Sequence, residues 1–271
     1  MRPSATSRLL VVIGDPIDHS LSPIMHNAAI AALGLDAVYV AIRTDHGAVP
    51  HMVQAFEAAG IAGNVTVPHK LEVARLLIRL TALAKELGAV NTFWPDGGRL
   101  IGDNTDVHGV LGAIDQLEAE GPWLVVGTGG SARAVAAAAR ERDVPLLVRS
   151  RRSDRARDFA AWARDLGVTE ALPDDGRPLG TVINATPLGL RSNDGMPVPP
   201  ERLEECGAAL DLVYAAGGTR WVRACRGNGL RAVDGRTMLV EQGTRAFEHF
   251  FPDVTAPRDV MAAAVERALA S

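Results

Sequence analysis

Lysine is almost absent from this chain. Of its 28 basic residues only Lys70 and Lys85 are lysines, and the rest are arginines. Codon preference accounts for the arginines but not for a lysine that survives among them. A guanidinium stays charged at any useful pH, whereas a lysine amine can give up and take back a proton. Lys70 closes the stretch Gly63-Asn64-Val65-Thr66-Val67-Pro68-His69-Lys70. Residues 64–67 alternate polar and β-branched apolar side chains, which predicts a short strand, and Pro68 suits the first turn of a following helix. Lys70 thus stands where strand gives way to helix, a place from which a side chain reaches a cleft. Taken alone it is either a proton-transfer group or a solvated lysine at a helix start. Asp106 ends Gly102-Asp103-Asn104-Thr105-Asp106 and is most simply the N-cap of the next helix. The other reading pairs it with Lys70, where a carboxylate would hold the amine and tune its pKa.

A second chemistry is written at Gly127-Thr128-Gly129-Gly130-Ser131-Ala132. The apolar run 123–126 precedes it and a helical pattern follows. Glycines there let a backbone approach a pyrophosphate, and a helix start supplies N–H donors and a positive dipole end. A plain tight turn remains the competing explanation, since the spacing is not strict G-x-G-x-x-G. At the end of the next strand an NAD site would carry Asp or Glu on the ribose. This chain has Arg149-Ser150-Arg151-Arg152, whose guanidinium groups suit a 2′-phosphate, so NADP is expected. Ser20 and Ser22 flank Leu21 at the mouth of the first helix and are either caps or donors to a carboxylate. His19, His26, His51 and His69 show no metal spacing with Asp or Glu, and Cys206 and Cys225 form no ligand pattern, so no metal is expected.

The elements that must position these residues follow from periodicity and turn residues. Strands are predicted at 9–13, 37–42, 64–67 and 89–94. Helices are predicted at 22–33, with Ser22 as N-cap, at 49–59 closed by Gly60, from Pro68, and at 81–87 closed by Gly88. This alternation predicts a mostly parallel sheet wrapped by helices. A second series restarts at Trp123, with strands at 123–126, 145–148, 181–184 and 210–214 and helices from Gly130 and at 154–166. The expected organisation is therefore α/β with two domains. Residues 1–106 form one, residues 107–236 form the Rossmann-like one, and final helices at 237–250 and 258–270 return to the first.

Composition sets the outer bounds. The chain has 271 residues, 47% hydrophobic and 22% charged, with a net charge of −4. Such a balance favours neither nucleic acid nor an anionic membrane. The apolar run at 9–13 is too short for a secretory segment and no stretch is long enough to span a bilayer, so a cytoplasmic protein is expected.

Taken in order, the motifs resemble the shikimate dehydrogenase family nearly from end to end. They are Gly14-Asp-Pro-Ile-Asp-His-Ser-Leu-Ser-Pro-Ile-Met-His-Asn27, Asn64-Val-Thr-Val-Pro-His-Lys70, Gly88-Ala-Val-Asn-Thr92 and Gly102-Asp-Asn-Thr-Asp106. Gly127-Thr-Gly-Gly-Ser-Ala132, Asn184-Ala-Thr-Pro187, Asp211-Leu-Val-Tyr214 and Met238-Leu-Val-Glu-Gln242 complete the set. The resemblance implies reduction of 3-dehydroshikimate to shikimate by NADPH, in a monomer or homodimer. It implies that Lys70 and Asp106 are the catalytic pair and that Ser20 and Ser22 hold the substrate carboxylate. Thr66, Asn91, Tyr214 and Gln242 match further substrate contacts. Gly127, Thr128, Gly129, Gly130, Ser131 and Ala132 match the pyrophosphate turn. Ser150, Arg151 and Arg152 match the 2′-phosphate end of the cofactor, and Thr186 and Met238 its nicotinamide end. Two departures stand out. Ser150 replaces a usual Asn, and Ala215-Ala216-Gly217-Gly218 replaces a usual Asn-Pro after the tyrosine. Quinate, an aminated analogue, or a non-catalytic NADP sensor on the same fold are the alternatives. Ser22, where quinate-accepting relatives carry Thr, leans toward shikimate.

Overall fold

A computed structural model describes residues 4–270 except 192, 199 and 205. The chain divides into two compact units. One runs to Asp106 and takes in Leu239–Leu269; the other is Val107–Met238.

In the first unit β1 (Arg8–Gly14), α1 (Ser22–Ala32), β2 (Ala37–Arg43), α2 (Val49–Ala59), β3 (Ala62–Val65) and α3 (Lys70–Leu76) alternate. They are followed by β4 (Arg79–Leu80), α4 (Ala82–Leu87), β5 (Thr92–Asp96) and β6 (Arg99–Asp103). The sheet order is β2-β1-β3-β5-β6-β4. β1 is parallel to β2 and β3, but β5 runs antiparallel to both β3 and β6. The Gly97–Gly98 turn makes β5 and β6 a hairpin, since both glycines have positive φ. One consequence governs the site. The reversed β5 brings its starting end, Asn91 and Thr92, beside the finishing ends of β3 and β6. The core beneath is built from Val11, Ile13, Val53, Phe56, Val65, Phe93 and Leu100. Burial of such side chains stabilises by about 1.5–3 kcal/mol each.

Several local expectations differ from the structure. The strands expected at 64–67, 89–94 and 210–214 lie at Ala62–Val65, Thr92–Asp96 and Cys206–Asp211, and Asp106 is the first helical residue of its helix rather than the N-cap. Pro68 is not in the first turn of α3. Its peptide bond with Val67 is cis, and the His69 N–H donates to the Thr66 carbonyl at 3.0 Å across a tight turn. Ser22 is not an N-cap: Leu21 occupies that position, and no side chain caps the helix. Ser22 is already helical, and its hydroxyl faces inward instead.

The second unit contains α5 (Asp106–Leu117, whose first residue belongs to the first unit), β7 (Trp123–Val126), α6 (Gly130–Glu141), β8 (Leu146–Arg149) and α7 (Ser153–Asp165). It continues with β9 (Ala171–Pro173), β10 (Leu179–Asn184), β11 (Cys206–Asp211), α8 (Arg220–Gly227) and β12 (Arg231–Val233). Helix α9 (Arg236–Phe250) leads the chain back to the first unit, and α10 (Arg258–Ala270) ends it. All pairings in the second sheet are parallel, in the order β12-β11-β10-β7-β8-β9. This is the doubly wound order, with the reversal between β7 and β10. Ala132 and Ala134–Ala139 of α6 are all buried, so the small side chains let this helix lie close on the sheet.

Candidate active site

Lys70 and Asp106 meet within the first unit. The Lys70 ammonium donates to Asp106 Oδ2 at 2.6 Å, and both side chains are at most 10% exposed. Lys70 starts α3 and Asp106 starts α5, so each is fixed where a loop tightens into a helix. Asn91 carries the arrangement further. Its amide NH2 stands 2.8 Å from Asp106 Oδ1, 3.0 Å from Thr105 Oγ1 and 3.2 Å from Gln242 Oε1. Its oxygen accepts the Thr105 N–H at 2.7 Å, which fixes the amide's orientation. Gln242 is in turn held by donation to the Leu239 carbonyl at 2.9 Å. A buried pair left without such partners would be destabilising; here both carboxylate oxygens are satisfied and the amine is aimed by them.

The network extends to residues that the sequence did not single out. Asn64 donates to Thr92 Oγ1 at 2.9 Å, and the buried Tyr39 hydroxyl donates to Asn64 Oδ1 at 2.7 Å. The Ser22 side chain lies beside the same hydroxyl. Burial raises the Tyr39 pKa well above its ordinary value, so the phenol stays protonated. His26 stacks on the Tyr39 ring at 4.4 Å, and burial lowers its pKa to about 3, so it is a neutral packing group. The signal for these residues was present as amides and hydroxyls inside strands, where Asn is depleted. Thr66 follows β3 with its methyl against Gly14, where a Cβ would fall 2.4 Å from it. Ser20, half-buried, accepts the Ser22 N–H at 3.3 Å.

Asp103, three residues before Asp106, is a supporting carboxylate. Burial pushes its pKa up, but hydrogen bonds from His249, Thr81 and the Asn104 N–H outweigh this and leave it below the usual range. The His249 ring that faces it is stacked on Trp94 at 4.0 Å.

In the second unit the glycine turn lies at the point where strand order reverses. Gly127 has φ of +114°, and a Cβ there would fall 2.9 Å from the Ala185 carbonyl oxygen. Only glycine fits. At Gly129, the N-cap of α6, a Cβ would meet nothing within 4 Å, and no side chain caps the helix. The twelve-residue α6 therefore offers its first N–H groups to an anion, with open space before them at Gly129. Thr128 and Ser131 are half-buried beside this opening, and Ala132 is buried. These features fit a dinucleotide pyrophosphate.

The arginines after β8 are not equivalent. Arg149 is 3.2 Å from Asp174, and Arg152 is paired with Asp154, which raises its pKa. Arg151 is exposed and makes no ion pair among the described residues. Ser150 accepts the Arg152 N–H at 3.4 Å. Thr186 donates to Asn184 Oδ1 at 2.6 Å, and Asn184 donates to Asp211 Oδ1 at 2.8 Å. Asp211 also accepts from Thr219 at 2.6 Å and from the Val213 N–H at 3.1 Å. Burial pushes its pKa up to about 6 despite these bonds. Tyr214 and the buried Met238 belong to this second unit as well.

Comparison with known proteins gives a consistent result. Residues 12–93 match the shikimate dehydrogenase substrate binding domain, and residues 235–266 the shikimate 5′-dehydrogenase C-terminal domain. The shikimate dehydrogenase (NADP(+)) of Mesorhizobium japonicum is 37% identical, over 90% of this chain and 92% of its own. The crystal structure of shikimate 5-dehydrogenase from Thermus thermophilus in complex with NADP(H) and shikimate has a TM-score of 0.86 at 34% identity. That match covers 96% of this chain and 99% of the other. A crystal structure of shikimate dehydrogenase in complex with NADP+ has a TM-score of 0.90 at 28% identity, covering 100% and 98%.

Proposed function

Because the chain belongs to the shikimate dehydrogenase family, we propose that it reduces 3-dehydroshikimate to shikimate reversibly with NADPH, a step toward chorismate and the aromatic amino acids. The observation that carries this reading is the buried Lys70–Asp106 pair, held by Asn91. When bound, NADPH supplies the hydride that reaches the substrate ketone carbon. As the carbonyl oxygen gains charge, Lys70 donates a proton to it and stabilises the developing alkoxide. Asp106 holds the amine in place, and its carboxylate orients a substrate hydroxyl. Ser20 and Ser22 bind the substrate carboxylate, with Tyr39 beside Ser22. Thr66, Asn91, Tyr214 and Gln242 contact the ring hydroxyls. In the oxidation direction Lys70 receives the proton instead.

For the cofactor, Gly127, Gly129, Gly130 and Ala132 hold the pyrophosphate, with Thr128 and Ser131 beside it. Arg151 takes the 2′-phosphate with Ser150 and Arg152 at its edge, and Thr186 and Met238 border the nicotinamide. A cytoplasmic monomer or homodimer with its two domains divided after Asp106 belongs to the same reading; among the described residues no helix is long and apolar enough to cross a membrane. The test is NADPH absorbance with 3-dehydroshikimate, and NADP reduction with shikimate. Turnover in both directions is expected, with quinate the poorer substrate. Folded protein inactive with both pairs would overturn the proposal.

A further inference from the structure

The fold brings a residue of a distant loop to a pair at the start of α3, outside the residues given roles above. His46 is in the loop after β2, His69 caps α3, and Glu72 lies in the first turn of α3. One ring nitrogen from each histidine and one Glu72 oxygen all lie within 4.8 Å of one another. His46 Nδ1 is 2.9 Å from Glu72 Oε2, and His69 Nδ1 is 3.7 Å from the same oxygen.

The state of His69 gives this cluster its meaning. Its ring is wholly buried, and Nε2 is 2.6 Å from the Thr44 carbonyl oxygen. A carbonyl only accepts, so Nε2 carries the proton. Nδ1, the other ring nitrogen, is buried and has no hydrogen-bond partner. It faces a Glu72 carboxylate oxygen beyond hydrogen-bond reach. A buried ring nitrogen left without a partner is unfavourable, and a cation held between it, Glu72 and His46 would supply one. Donation of the distal N–H to a backbone carbonyl is also how metal-binding histidines are fixed. The loop that carries His46 is itself anchored: the Thr44 N–H donates to the Gly14 carbonyl at 3.1 Å, and the Ala48 N–H to Asp45 Oδ1 at 2.9 Å.

We infer that His46, His69 and Glu72 form a binding site for a borderline divalent metal ion, best matched by Zn²⁺. Two imidazole nitrogens and one carboxylate oxygen suit zinc and disfavour magnesium or calcium, which take oxygen shells. Metal–ligand bonds of about 2.0–2.2 Å require the donors to close up slightly. The side chain with the most freedom is His46, which is 69% exposed and opens the site to solvent. Water completes the coordination. Sequence spacing hid the site because α2 and β3 separate His46 from the other two.

The test is equilibrium binding of Zn²⁺ to the full chain, by competition with a chromogenic chelator. One equivalent at micromolar or tighter affinity is expected, with no competition from Mg²⁺, and Co²⁺ should give visible absorption bands. His46→Ala, which alters an exposed side chain, and Glu72→Gln, which keeps shape but loses charge, should each weaken Zn²⁺ at least about tenfold. His51→Ala, on exposed α2 surface, should leave it unchanged. Absence of a stoichiometric site, or equal affinity in His46→Ala and Glu72→Gln to that of the unmodified chain, would overturn the inference and leave the cluster a hydrogen-bonded surface feature only.

Discussion

The polar groups of the two units are organised in opposite ways. In the first unit they close on one another: Lys70, Asp106, Asn91 and Gln242 are buried and mutually hydrogen-bonded. In the second, the groups assigned to the cofactor lie open: Gly129 borders unfilled space, and Arg151 is exposed without an ion pair among the described residues. The difference follows from the tasks. A proton moves over a fraction of an ångström, so its donor must be fixed beforehand. A long polyanion is gripped by backbone N–H groups and outlying charges, which need room to receive it.

The largest expected effect tests the closed site. Lys70→Ala should cut turnover by roughly 10²–10⁴-fold, the range of a general acid–base group. The shikimate dissociation constant should move far less, since the interaction gained in the transition state is the one lost. Lys70→Arg should be nearly as damaging because charge is kept and proton exchange is not. An active Lys70→Arg enzyme would show that fixed charge suffices.

A stability measurement sharpens the comparison through two buried carboxylates with opposite shifts. Asp211 has its pKa raised by burial from 3.8 to about 6 in the folded state. Between those values the folded chain binds the proton and the unfolded chain does not. Stability from this group is therefore present below about pH 4 and is lost as pH rises toward 6, by about 3 kcal/mol at most. Asp103 is shifted down, so its contribution is present above the ordinary carboxylate value and is lost as pH falls through its lowered pKa. Urea unfolding of Asp211→Asn and Asp103→Asn against pH should give difference curves of opposite slope. Parallel curves would mean the two environments do not differ as described.

Much of this architecture was legible. The helices expected at 49–59 and 258–270 and the strand at 123–126 have those limits in the structure, because glycine stops, proline breaks and sustained apolar patterns mark them. Short elements were not legible. β4 has two residues, β9 and β12 have three, and α8 follows a glycine-rich loop. Nothing periodic fits in so few positions, and their pairing comes from neighbouring strands. β6 is not legible although its turn is, because Arg99-Leu100-Ile101-Gly102-Asp103 carries only one β-branched residue. In the site, Lys70 stands out by rarity and Asp106 by its motif. Tyr39 and Asn64 do not, since each is defined by a partner on another strand, and the reversal of β5 that joins them to Asn91 has no local signal in the sequence.

The smallest expected effect tests the open site. Arg151 is exposed, so its attraction to a phosphate is screened by water and salt. A charge-assisted hydrogen bond in that setting lies toward the lower end of about 1.5–3 kcal/mol. Arg151→Ala should therefore raise the Michaelis constant for NADP about tenfold and leave that for NAD nearly unchanged, because NAD lacks the 2′-phosphate. Added salt should narrow the gap between the two cofactors in the unmodified enzyme and change it little in the variant. Arg152, held by Asp154, should matter less than Arg151 when replaced. If instead Arg152→Ala produces the larger loss, the ion pair must open on binding, and the second unit would be less prepared for its cofactor than the first is for its substrate. Turnover at saturating NADP should remain unchanged in Arg151→Ala, since this contact forms equally in ground and transition states.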